Sequence, residues 1–90
     1  MKTIYKYRLA LHADGPQLFQ LPDGATVLSV GICPLGQLAM WIYVDMSKAC
    51  TQREFVVVGT GHPVPDGLEF IGTVVSDPFV WHILEIVGVP

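Results

Sequence analysis

Ninety residues hold one domain, residues 1–90, with no room for a second. A net charge of −3 argues against a nucleic-acid binder, and eight dispersed carboxylates are too sparse for a nucleic-acid mimic. Hydrophobic residues reach 51% and charged residues only 14%, against about 25% charged in an average soluble domain, so apolar surface is left over for a second copy or a partner.

Gly, Pro and Asp break the chain roughly every eight to twelve residues, and Val, Ile, Thr and aromatics fill the spans between. This rhythm predicts an all-β fold, a small antiparallel β-sandwich or partly open β-barrel of about seven strands. "TIYKYRLAL" alternates, with Tyr5, Tyr7 and Leu9 facing one way and Lys6 and Arg8 the other. Lys2, Lys6 and Arg8 read as a solvated strand face. "HADGP" turns, "QLFQL" is a short strand, and "PDGA" turns again on Gly24. "TVLSVGI" puts Leu28, Val30 and Ile32 on one face, and the small Ser29 and Gly31 on a face open to close approach. "CPLGQ" is a tight hairpin turn.

In "LAMWIYV", Leu38, Met40, Ile42 and Val44 oppose Ala39, Trp41 and Tyr43. Both faces are apolar, as in a strand that is covered on both sides or meets another subunit. "DMSKACTQ" is a polar connection with room for one helical turn, and "REFVVVGT" is another two-faced strand. "GTGHPVPDG" connects it to "LEFIGTVVS", where Gly72 marks a bulge or contact point. After the "DP" turn, "FVWHILEIV" sets Phe79, Trp81 and Ile83 against Val80, His82, Leu84 and Ile86. Hairpins are expected for most connections.

No run has the length of a membrane span, and "MKTIYKYRLA" mixes charges among its apolar residues, unlike a signal peptide. Cys33 and Cys50 make no disulfide framework. The expected location is the cytoplasm, with reduced thiols.

The "GTGHPVPDG" loop is the candidate binding element, through Gly59, Thr60, Gly61, His62 and Asp66. Two glycines after a strand can turn backbone N–H groups toward an anion, with Thr60 and His62 adding donors. No Lys-Ser/Thr pair follows, so this is not a P-loop. The same residues also suit a rigid corner, because the prolines stiffen the chain. Trp41, Tyr43, Phe79 and Trp81 would line a pocket or an interface. The metal candidates, His12, His62, His82, Cys33 and Cys50, lack the close spacing of zinc ligands, and His82 reads as a hydrogen-bonded histidine on an apolar face. His62 with Asp66 or Glu69 would make an acid–base pair that nothing in the spacing demands.

The segments "KTIYKY" (2–7), "LPDGATVLSV" (21–30), "LAMWIYVD" (38–45), "FVVVGTGHPVP" (55–65), "EFIGTVV" (69–75) and "WHILEI" (81–86) run through nearly the whole chain. With these, the chain resembles a family of small phage and prophage proteins of unknown function, "GTGHP" being the most specific element. The resemblance implies a phage-related origin and a small β fold. It implies no activity and carries over no functional residue.

The expected function is that of a non-enzymatic, phage-encoded binding protein without a cofactor. It would be a homo-oligomer that inhibits a host defence protein in the host cytoplasm, an analogy with other small acidic phage proteins. Strands 38–44 and 79–87 would join the copies, and loop 59–67 would meet the partner. The alternative is a sponge for a phosphate-bearing nucleotide signal, held by the loop, by Trp41 or Tyr43, and by Lys6 or Arg8. A virion accessory protein is a further alternative, and a hydrolase built on His62 and Asp66 ranks last.

Overall fold

Seven strands form where apolar alternation is bounded by turn residues: β1 Lys2–Arg8, β2 Gln17–Pro22, β3 Thr26–Ile32, β4 Leu38–Asp45, β5 Cys50–Gly59, β6 Leu68–Ser76 and β7 Phe79–Ile86. The computed structural model describes residues 1–11 and 15–87, so His12 and most of the "HADGP" turn lie outside the described residues. One sheet has the order β1-β4-β3 and the other β2-β5-β7-β6. All the strand pairs are antiparallel. The shortest dimension is 18 Å, room for two sheets face to face and no third layer. The fold is therefore a sandwich and not a closed barrel. No helix among the described residues is long and apolar enough to cross a membrane.

The two-faced strands take central positions, where one face meets the other sheet. In β4, Leu38, Met40, Ile42 and Val44 point inward and are almost wholly buried. They pack with Leu21, Phe55, Val74 and Ile83 of the second sheet. Tyr7, Phe19 and Phe55 carry an aromatic line between the sheets, with ring centres 6.0 and 5.8 Å apart. Burying a side chain such as Phe55 completely contributes about 1.5–3 kcal/mol.

Among the described residues Glu85 is the buried charge, and Arg53 binds it through two hydrogen bonds of 2.6 and 2.8 Å. The same guanidinium donates to the Ala25 carbonyl, beside the turn between β2 and β3, and lies over the Phe55 ring. The hydrogen bonds to Glu85 hold Arg53 protonated more firmly than a free arginine.

Several local expectations are corrected. Hairpins join only β3 to β4 and β6 to β7; the β1–β2, β2–β3 and β4–β5 connections pass between sheets. The "DMSKAC" stretch holds no helical turn. Asp45 instead takes the Ser47 amide and hydroxyl in a tight turn, and pairing with β2 starts at Cys50, which is therefore a strand residue. In β3 a register shift between Val27 and Ser29 throws Leu28 outward, so Val27 and Val30 face the core. The bare face at Gly31 is covered by Trp41 of the neighbouring strand. The cis peptide among the described residues is Asp77–Pro78, in the β6–β7 turn.

The sheets come closest where β3 lies against β6. Gly72 follows a register shift in β6, and a Cβ there would stand 2.5 Å from Val30 Cγ2. Gly72→Ala is therefore expected to destabilise the fold by about 1–3 kcal/mol in urea unfolding. Val30→Ala in the same chain should recover part of that loss, giving a non-additive double-mutant cycle. Strict additivity would place the strain elsewhere.

Candidate functional site

The loop's path follows from strand order. β7 lies between β5 and β6, so the chain leaving Gly59 beside Trp81 must re-enter at Leu68 beside Ile86, the far end of β7. That distance is about 17 Å for five residues of strand rise. The intervening residues 60–67 reach about 26–29 Å when extended. Gly61, with φ +90°, turns the chain, and His62 N–H closes this turn on the Gly59 carbonyl. Pro63 and Pro65, both trans, stiffen the crossing. Gly67, with φ +80°, turns it into β6, and its carbonyl accepts from Val87 N–H. The loop is thus a crossover laid on the outer face of the sheet, not a hairpin corner.

Two clefts result. The larger, about 560 Å³, is lined by Gly59, Thr60, His62, Pro78, Phe79 and Trp81 with Val80. Phe79 and Trp81 share the inward register of Ile83, yet Phe79 is 58% exposed, so the opposite sheet does not cover this end of β7. Their rings pack with centres 5.6 Å apart. A Cβ on Gly59 would touch both Trp81 and His62, at 3.5 and 3.6 Å, so the glycine keeps the floor between these rings open. The smaller cleft, about 280 Å³, lies under the crossover, with Val58, Val64, Phe70 and Leu84 in its wall.

His82 ties the loop to the sheet. Its Nε2 is 2.8 Å from Thr60 Oγ1 and its Nδ1 is 3.0 Å from Thr73 Oγ1. Either neutral tautomer satisfies both contacts, because each hydroxyl can donate or accept. Thr60 N–H also donates to the Val80 carbonyl. Two N–H groups that an anion would need, those of Thr60 and His62, are therefore already bonded to carbonyls.

Residues 1–88 match the model of a family described as a domain of unknown function, DUF7352. The chain belongs to this family. No curated protein and no solved structure matches it.

In this DUF7352 chain the candidate residues separate into two groups. Gly59, Thr60 and His62 meet Phe79 and Trp81 in the larger cleft, and Gly61 joins the smaller one. Asp66 lines neither cleft and makes no hydrogen bond or ion pair with His62. Trp41 and Tyr43 stand on the outer face of the other sheet, opposite Lys6 and Ile4, so they share no pocket with the loop. Neither Cys33 nor Cys50 lines a loop cleft. Among the described residues, no three His, Cys, Asp or Glu side chains gather as metal ligands would.

Pro78 and the Thr60–His82–Thr73 relay were not singled out from sequence. The available signal was the polar pair Thr73 and His82, facing each other across otherwise apolar strands. His82→Phe should free the loop at a cost of about 1 kcal/mol. Hydrogen exchange would show it as faster exchange at the Thr60 and His62 amides, with β4 unchanged. Equal protection in both proteins would mean that the relay does not hold the loop.

Proposed function

We propose that this protein is a non-enzymatic binding module whose cleft at Trp81, Phe79 and His62 takes an apolar side chain from a protein partner. The observation that carries this reading is exposed Phe79 packed on half-buried Trp81 beside a glycine floor, walled by a tethered loop. The volume, about 560 Å³, falls within the range of clefts that hold one organic group. No lysine or arginine lines the cleft, and the nearby amides of Thr60 and His62 are engaged, which favours an apolar guest over a phosphate.

A finer reading takes a phage origin from the resemblance, inhibition of a host defence protein in the cytoplasm from analogy with other small acidic phage proteins, and a homo-oligomer from the apolar surplus. Phe70 and Val75, 60% and 71% exposed on edge strand β6, are the surface on which copies would meet.

Affinity capture from a bacterial host lysate, quantified for the wild-type chain and for Trp81→Ala and Phe79→Ser, tests the cleft. A partner held by the wild type should be lost at least tenfold by each variant, as for buried aromatic anchors. Circular dichroism would verify that the variants fold. A partner retained equally by both folded variants would remove the cleft from the interaction.

A further inference from the structure

The outer face of the β1-β4-β3 sheet has a character that the whole-chain charge hides. Three of the five lysines and arginines stand on β1, at Lys2, Lys6 and Arg8, in a chain of net charge −3. The inward register of Met40 and Ile42 turns Trp41 and Tyr43 outward, onto this same face. Antiparallel pairing sets Lys6 opposite Trp41 and Ile4 opposite Tyr43. Trp41's six-membered ring lies beside Gly31, where a Cβ would stand 3.6 Å from Cζ3. Tyr43 is 41% exposed and Ile4 52%. The acid on these three strands is Asp45, at the sheet's end opposite Lys2, where Ser47 also bonds it, so Lys6 and Arg8 are the cations on this face farthest from a carboxylate.

We propose that this face binds single-stranded nucleic acid, with bases stacked on Trp41 and Tyr43 and phosphates following Lys2, Lys6 and Arg8. Alternate side chains along a strand repeat at about 6.8 Å, so Lys6 and Arg8 stand one repeat apart beside Trp41, and Lys2 two repeats from Lys6 with Ile4 between. Aromatic platforms flanked by a cationic track are how sheet surfaces hold single strands without sequence preference. A second copy of the chain is disfavoured here, because a two-fold contact would bring the lysine and arginine row against its own image. An acidic peptide would answer the cations and leave the paired rings without a stacking partner. The face is separate from the loop clefts, so it is independent of the partner proposed for them.

The test is fluorescence anisotropy of a labelled oligothymidylate of about 15 nucleotides with the full chain at several salt concentrations. Binding near 10⁻⁵ M is expected, roughly the non-specific range. The slope of log K against log salt should be about −2, from three phosphates at about −0.7 each. Lys6→Ala should reduce the slope by about 0.7, and Tyr43→Ala should weaken binding about tenfold. In Trp81→Phe, which leaves Trp41 as the indole reporter, the oligonucleotide should quench emission. Absence of binding at low salt would overturn the proposal, as would wild-type affinity in folded Lys6→Ala and Tyr43→Ala. Polyglutamate binding as tightly as the oligonucleotide, with Trp41 emission unchanged by either, would show a face that reads charge alone and would also overturn it.

Discussion

The placement of β7 between β5 and β6 governs the second sheet. It makes β5 and β6 parallel neighbours once removed, so their connection has to travel the length of β7 over the outer face. The two prolines suit that extended traverse, and positive-φ glycines at Gly61 and Gly67 suit its two bends. Both loop clefts and the His82 tether exist because the crossover exists. A hairpin between β5 and β6 would have left Trp81 without a wall and His82 without Thr60.

The sandwich that carries this crossover is held at one point by charge. Arg53 joins β5 to the Glu85 carboxylate on β7 and to the Ala25 carbonyl beside the β2–β3 connection, so one side chain spans three segments. Its partner is nearly excluded from solvent, and removal of either member would leave the other with its desolvation uncompensated. At the other close contact, Gly72 gives room to Val30. The ion pair ties β5 to β7 within one sheet and Arg53 to the β2–β3 turn, while the Gly72–Val30 contact brings β6 against β3 of the other sheet. The end of β7 bearing Phe79 is open because the opposite sheet does not cover it. The outer face bearing Trp41 is open because no third layer exists.

Much of this was legible in the sequence. Strand spans from "TIYKYR" to "FVWHILEI", the "CPLGQ" turn, and Gly72 as a contact point follow from alternation and turn chemistry, which are local. Strand order is not local, and the errors trace to it. "GTGHPVPDG" reads as a corner or an anion loop until β7 is known to intervene. Grouping Trp41 and Tyr43 with Phe79 and Trp81 fails because aromatic content does not say which sheet a strand joins. The Leu28 bulge is invisible because one extra residue inverts the pattern beyond it without changing composition. The cation row Lys2, Lys6 and Arg8 was legible from alternation, but the aromatic residues beside it were not, because only the β1–β4 register sets Trp41 opposite Lys6.

Recognition is thus proposed at two separate places, an apolar cleft at the crossover and a cationic, aromatic face on the other sheet. Amide chemical-shift mapping tests this division most directly, with indole as a neutral aromatic probe and oligothymidylate as an anionic one. Indole should move the amides of Gly59–His62 and Phe79–Trp81, and the oligonucleotide those of Lys2–Arg8 and Ala39–Tyr43. Both probes moving the same residues, or the oligonucleotide moving the loop and sparing β1, would contradict it.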